Sequence, residues 1–320
     1  MAKKPALTAL ARAQGKQQAK RVLQHRNEAL QTRKATLATP AKQSAVKALA
    51  LATAPTVPSR TMKALGSPAG AGVLVAEGDS WFDYPMHDVL SELEDAHGYE
   101  VESVAHKGDR VEDMAYNDGQ LDDFTRRIDK LLRRGAVPRA ILLSGGGNDV
   151  AGDEFYMLLD HADSVAAGLN DSVVAGIIDQ RVYLSYLRIL QAVTDICQER
   201  LGRPLPILIH GYDHPVPDGR GFLGGWGPLP GPWMAPGFRQ KGYQNMDERK
   251  DIAKKLIDRF TDMLVRVAKV FAHVQYVDLR GTLATGPTYE DWWANELHPT
   301  PQGFGRVADR FAQALALALA

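Results

Sequence analysis

Cysteine is almost missing from this chain: Cys197 is the only one in 320 residues. An intrachain disulfide is therefore excluded, and Cys197 falls within an apolar helical pattern that marks it as a core residue. Long apolar runs are missing as well. None approaches the roughly 20 residues that a membrane-spanning helix needs, and no apolar stretch of the kind found in a secretory signal opens the chain. The cytoplasm is the favoured expectation for its compartment. Net charge is missing too, since 38 Lys and Arg balance 38 Asp and Glu. No global field then draws the chain to nucleic acid or to a membrane surface. Acids are nevertheless scarce at one end: residues 1–60 carry twelve Lys or Arg against Glu28 alone. The same segment holds no aromatic residue, the first being Trp81. Such a segment cannot by itself bury enough surface to offset its ordering entropy. Residues 1–65 are expected to form a basic arm and linker, disordered or partly helical over Ala19 to Thr32, and punctuated by Pro40, Pro55 and Pro58. An acidic partner is the kind such an arm would meet.

What is present begins near residue 66. The 45% hydrophobic share of the chain is that of a globular protein with a sizeable core. Strand and helix patterns alternate from there. Val73–Ala76, Tyr99–Ala105, Arg139–Leu143, Pro206–Ile209 and Val274–Leu279 read as strands. Met86–His97, Leu121–Arg134, Ile177–Leu201, Met246–Ala272 and Pro301–Leu317 read as helices, with Gly98, Gly135 and Gly202 as stops and Thr300-Pro301 as a start. Alternation of this kind predicts a three-layer α/β/α sandwich, flavodoxin-like, around a mostly parallel sheet of about five strands. Residues 66–320 are expected to form this domain. It carries one long insertion at about residues 212–245, rich in Gly, Pro and aromatic residues.

In open parallel sheets the reactive groups gather beyond the carboxyl ends of the strands. After the first strand comes EGDSW, residues 77–81. After the second comes AHKGDR, and after the third SGGGNDV, residues 144–150. HGYDHP follows the fourth, and NELHP, residues 295–299, lies beyond the fifth. One edge would then carry a serine, a histidine, an amide and mobile glycines, which are the parts acyl transfer requires. A serine hydroxyl needs a base to take its proton during attack, and a histidine suits that role. The oxyanion of a tetrahedral intermediate needs donors already aimed at it. Ser80 N–H, Gly108 N–H and the Asn148 side-chain amide are the candidates.

These blocks, in this order, resemble the GDSL or SGNH hydrolases. The resemblance covers residues 73–300 and implies Ser80 as nucleophile and His298 as base. It implies an oxyanion hole of Ser80, Gly108 and Asn148, and an α/β/α fold with no metal or organic cofactor. The expected activity is serine-dependent hydrolysis of an ester (carboxylic, O-acetyl or lipid) through an acyl-enzyme. The substrate would be a small-molecule, carbohydrate or lipid ester. One position departs from the family pattern, which has Asp where Asn295 stands. Three readings follow. Ser80 and His298 act as a dyad with Asn295 or a backbone carbonyl orienting the ring, a displaced carboxylate (Asp291 or Glu296) does so, or the site is impaired. An acyltransferase with the same machinery and a binding module of the same fold are the alternatives to hydrolysis.

Other features read more plainly. Asp79 is expected to hold the turn backbone. His210 and His214 have zinc-like spacing but follow a strand and precede Pro215, which argues against a metal site. Trp81, Tyr212, His214 and Trp293 are candidate substrate contacts, and the 212–245 insertion is expected to wall the active-site edge.

Overall fold

The computed structural model describes residues 4–38, 70–117, 119–152, 154–224 and 229–319. The linker expected over residues 39–65 and Trp226 of the insertion lie outside these. Five strands form the central sheet: β1 (Gly72–Glu77), β2 (Tyr99–Ser103), β3 (Ala140–Leu143), β6 (Ile207–His210) and β7 (Val274–Val277). They lie in the order β2-β1-β3-β6-β7, and every pair is parallel. A separate antiparallel pair, β4 (Leu159–Asp160) and β5 (Gly168–Leu169), stands between β3 and β6 in the chain. The helices in chain order are α1 (Lys4–Ala38), α2 (Val89–Asp95), α3 (Val111–Tyr116), α4 (Gln120–Arg133), the single turn α5 (Gly147–Val150) and α6 (Asp171–Gly176). They continue with α7 (Tyr183–Leu201), α8 (Ala235–Gln240), α9 (Met246–Ala268) and α10 (Pro301–Ala318).

The expected α/β/α sandwich with a five-stranded parallel sheet is what the chain forms. Its central strand shows why. β3 reads Ala-Ile-Leu-Leu, and all four residues are buried, as a strand covered on both faces requires. The chain runs from β1 outward to β2, then back across β1 to β3 and on to β6 and β7. Right-handed crossovers turn that reversal into a change of sheet face. The helix after β1, α2, therefore packs with α10 on one side, while α3, α4 and α9 gather around α7 on the other. The reversal also opens a crevice between the ends of β1 and β3, and that is where Ser80 and Asn148 follow their strands.

Element ends depart from the sequence reading where local chemistry overrides periodicity. α2 starts at Val89 rather than Met86 because Asp88 caps it. The Asp88 carboxylate accepts Ser91 N–H at 2.7 Å, and Ser91 Oγ accepts Asp88 N–H at 3.0 Å. A π-helical turn, Ile177–Val182, precedes α7, and apolar periodicity does not register the extra residue per turn. α3, α8 and the β4–β5 pair are too short to leave a periodic pattern. The capping expected for α10 is present, with Thr300 Oγ1 accepting Gly303 N–H at 3.1 Å ahead of Pro301.

α1 runs well beyond Ala19–Thr32 and lies along α7. It buries Ala11, Ala19 and Val22 and places Arg12 Nε 2.8 Å from Gln191 Oε1. Few apolar residues suffice because they share the one stripe that faces α7.

Glu77, the last residue of β1, is buried immediately before the serine turn. Burial pushes its carboxyl up to about 9, with Asp109 and Asp123 adding to the rise against the lowering effect of the Gly78 N–H bond. The folded state therefore keeps a proton that the unfolded chain releases above the ordinary value of 4.5. Stability is lost as pH rises from there toward 9, at up to ~1.4 kcal/mol per pH unit for one proton. Glu77→Gln keeps the neutral form's shape and the acceptor for Gly78 N–H. Its melting temperature is expected to exceed that of the wild type at pH 8–9, with the gap closing near pH 5, as measured by thermal unfolding across that range.

Candidate active site

The turn that carries Ser80 is built by Asp79. Its Oδ1 accepts Trp81 N–H at 3.0 Å and Ser144 Oγ–H at 2.8 Å, and its carbonyl accepts Phe82 N–H and Asp83 N–H. The other carboxylate oxygen takes the Tyr212 hydroxyl. With Asp79 occupied on every side, the chain turns sharply after β1 and Ser80 projects at the rim. Trp81 and Phe82 turn inward and are buried.

The histidine loop closes against this turn. Trp293 and Pro299 form a β-bridge, Ala294 N–H donates to the His298 carbonyl at 2.9 Å, and Thr300 N–H donates to the Trp292 carbonyl at 2.9 Å. Trp81 Nε1–H reaches across to the Leu297 carbonyl at 3.0 Å. Ser80 Oγ then lies 2.8 Å from His298 Nε2. On the far side of the ring, Nδ1 lies 3.0 Å from Asn295 Oδ1.

The direction of each proton follows from Asn295. Its Oδ1 accepts the backbone N–H of Leu297 and of His298, both at 3.0 Å. Only the carbonyl end of the amide can do that, so the oxygen must face the ring. Nδ1 must then carry the hydrogen, leaving Nε2 with a lone pair aimed at the Ser80 hydroxyl. Asn295 Nδ2 donates to Tyr84 Oη at 3.0 Å, and the Tyr84 ring stacks on the imidazole at a centroid distance of 4.3 Å. The Trp233 ring meets it edge-on at 5.3 Å. Walled in this way, His298 is held neutral: burial pulls its pKa from 6.5 down to about 3.

The carboxylates weighed as ring-orienting groups stand elsewhere. Asp291 is exposed, and its carbonyl oxygen accepts Thr300 Oγ1–H at 2.8 Å. Glu296 is fully buried, but its two oxygens accept four backbone N–H groups of the insertion. The contact at Nδ1 belongs to Asn295.

Cross-ties join the loops that carry the candidate oxyanion donors. His106 N–H donates to the Gly78 carbonyl at 3.0 Å, and Asn148 Nδ2 donates to the Asp109 carbonyl at 3.0 Å. The turn holding Gly108 is thus bound to the serine turn on one side and to Asn148 on the other. Gly108 adopts φ +90° with open space where a Cβ would stand, a conformation suited to glycine. Among the described residues, neither Ser80 N–H nor Gly108 N–H donates to a protein acceptor. Gly146, also at positive φ, places its backbone where a Cβ would fall 2.4 Å from the Phe260 ring. Asp149 extends the tie by accepting Val111 N–H at 2.8 Å and Glu112 N–H at 3.3 Å at the start of α3.

An apolar cavity opens beside Ser80. Val150, Ala151, Pro215, Met234, Leu256, Ile257 and Phe260 line it, together with Asn148, Trp81, Trp293 and His298. Of the candidate substrate contacts, Trp81, Tyr212 and Trp293 lie on its wall. The Tyr212 hydroxyl is occupied, accepting Gly147 N–H at 2.9 Å while bonded to Asp79. His214 is turned away, with Nε2 3.0 Å from Asp258 Oδ1. Tyr84 and the α9 residues are not foreseen as site groups, Glu296 is weighed only as a ring-orienting group, and Trp233 enters only as part of the insertion expected to wall the site. Tyr84 and Trp233 carry no local motif, and α9 reads from sequence as an ordinary amphipathic helix. Among the described residues no cluster of three or more His, Cys, Asp or Glu side chains is arranged to hold a metal ion. No helix among them is long and apolar enough to cross a membrane.

No family model matches the chain, and no curated protein matches it. Solved structures do. One is LAE5, an alpha/beta hydrolase enzyme from the metagenome of Lake Arreo, Spain. It is 16% identical with a TM-score of 0.43, over 79% of this chain and 98% of that one. Another is a catalytic mutant of Axe2, an acetylxylan esterase from Geobacillus stearothermophilus. It is 13% identical with a TM-score of 0.41, over 78% and 96% of the two chains. A third is the C-terminal catalytic domain of peptidoglycan O-acetyltransferase A from Streptococcus pneumoniae. It is 11% identical with a TM-score of 0.37, over 78% and 95%. Others at 13% and 15% identity are described as an SGNH hydrolase and a GDSL-like lipase.

Replacing Asn295 by Asp puts a charge beside Nδ1 without removing an acceptor, since a carboxylate takes the same three N–H groups and the Tyr84 hydroxyl can turn to donate. The imidazolium is then favoured, and the pKa of His298 rises by at least about one unit. The acid limb of the kcat/KM profile on an activated ester is expected to move up by that amount relative to the wild type. The wild type should keep its activity toward the low pH at which His298 titrates, for as long as the fold survives.

Proposed function

We propose that this protein is a serine hydrolase acting on esters, with Ser80 as nucleophile and His298 as general base and then general acid. The observation that carries the reading is the 2.8 Å contact between Ser80 Oγ and a histidine nitrogen whose lone pair is dictated by Asn295. In the forward step Ser80 Oγ attacks the acyl carbon and its proton passes to Nε2. The oxyanion that forms is received by Ser80 N–H, Gly108 N–H and the second Asn148 Nδ2–H. His298 returns the proton to the departing alcohol, leaving an acyl-serine. Water then attacks the acyl carbon, losing its proton to Nε2, which passes it to Ser80 Oγ as the acyl–oxygen bond breaks and the acid leaves.

Asn in place of Asp is compatible with this chemistry. In a serine protease the change costs about 10⁴ in rate, largely because the amide holds the wrong tautomer. Here the Leu297 and His298 N–H groups force the amide oxygen toward the ring, so that part of the cost is absent. What remains is the missing charge. The face of Tyr84 against the ring offers partial compensation, since an aromatic face attracts a cation.

Ser80→Ala is expected to lower kcat/KM on p-nitrophenyl acetate by at least about 10³-fold and to abolish covalent labelling by a fluorophosphonate, with the melting temperature nearly unchanged. Turnover or labelling that survives the substitution contradicts the role given to Ser80.

A further inference from the structure

Glu296 sits between the two residues that orient and form the base, yet it serves neither. It is fully buried. Its Oε1 accepts Gly219 N–H at 3.0 Å and Ala235 N–H at 2.9 Å, and its Oε2 accepts Trp233 N–H at 2.6 Å and Met234 N–H at 2.8 Å. Its own N–H donates to the Arg220 carbonyl at 3.3 Å. Two oxygens with two lone pairs each are therefore filled by four N–H groups from two separate stretches of the insertion. No other residue type offers four acceptor sites from this position except aspartate, which is one carbon too short.

The stretches so held are not remote. Trp233 places its ring against His298. Met234 is buried and lines the cavity beside Ser80, opposite Leu256, Ile257 and Phe260 of α9. Pro215, at the start of the insertion, lines the same cavity. The cavity is small, about 50 Å³.

We infer that Glu296 is the positioning residue for acyl-chain selection: by clamping residues 219 and 233–235 to the histidine loop it holds Met234 as a wall of the acyl cavity and restricts the substrate to short, straight acyl groups. The inference rests on the Ser80 reading for its substrate and on the four N–H bonds for its geometry. It concerns the acyl side only, because Met234 faces the cavity that Ser80 opens into.

The test compares p-nitrophenyl acetate, butyrate and octanoate with the full chain, its E296Q variant and its M234A variant. In the wild type, kcat/KM for acetate and butyrate is expected to exceed that for octanoate at least tenfold. Glutamine keeps one oxygen and turns an NH₂ toward two N–H donors, so E296Q should release the wall and lower the butyrate-to-octanoate ratio at least fivefold. A merely structural role would lower all three esters in parallel, and that result overturns the inference. M234A leaves the clamp intact but lengthens the cavity, and it should shift preference toward octanoate; an unchanged ratio also overturns it. Residue-resolved hydrogen exchange gives a readout without activity. The amides of Gly219, Trp233, Met234 and Ala235 should be protected in the wild type and exchange at least tenfold faster in E296Q. Unprotected amides, or equal exchange in both, refute the clamp. A wild type with these amides protected but no ester turnover tells against the Ser80 reading instead.

Discussion

The site depends on one hydrogen bond, from His298 Nδ1–H to Asn295 Oδ1. On the proposed mechanism, the chemistry at Ser80 follows from which ring nitrogen carries the proton, and that is decided three residues away in the chain. The amide is not free to choose. Two backbone N–H groups of the same loop, those of Leu297 and His298, already claim its oxygen, so its dipole is set by the loop's own geometry. Tyr84 and Trp233 then exclude water from the ring and keep it neutral. A neutral, correctly protonated imidazole is ready to accept a proton. Burial, with no carboxylate beside Nδ1 to oppose it, keeps the ring from protonating until low pH.

A second constraint is mechanical. The five loops that form the site come from distant parts of the chain, and polar ties join them pairwise. Asp79 joins the serine turn to Ser144 after β3 and to Tyr212 after β6. Tyr212 passes the tie to Gly147, Trp81 to Leu297, and Asn148 to Asp109. Each buried polar group would be costly alone, and each is satisfied by a group on another loop. Such a network holds only when all its members are in place. Rigidity at the rim thus comes from polar ties that join one loop to the next. The same logic extends outward through Glu296, whose carboxylate binds the insertion to the histidine loop.

The sheet and its helices were legible because their signals are strong. A run such as Ala-Ile-Leu-Leu bounded by polar turns reads as a buried strand, and helix stops at Gly98 and Gly202 are local. Ser80, Asn148 and His298 were legible because each lies in a short block just beyond a strand or at a helix start, where topology gathers such residues. Asn295 was visible as a departure, but its effect was not. Whether an amide helps or harms depends on which way it faces, and that is set by backbone N–H directions no residue pattern encodes. Glu296 was visible as a carboxylate near His298 and was weighed as a ring-orienting group. Its actual partners lie 61 to 77 positions away, a separation at which sequence carries no contact information. Tyr84 and the inward residues of α9 were not legible as site groups for the same reason. The short helices α3 and α8 fell below the length at which periodicity speaks.

The most direct measurement of the central interaction is the ¹⁵N spectrum of the His298 ring, assigned by comparison with a His298→Gln variant and recorded near pH 5 and pH 7. A protonated Nδ1 and a bare Nε2 at both pH values is the expected result, since burial keeps the ring neutral across that interval. A ring protonated on Nε2 instead, or doubly protonated at pH 5, contradicts the role assigned to Asn295 and with it the readiness of Nε2 to take the proton from Ser80.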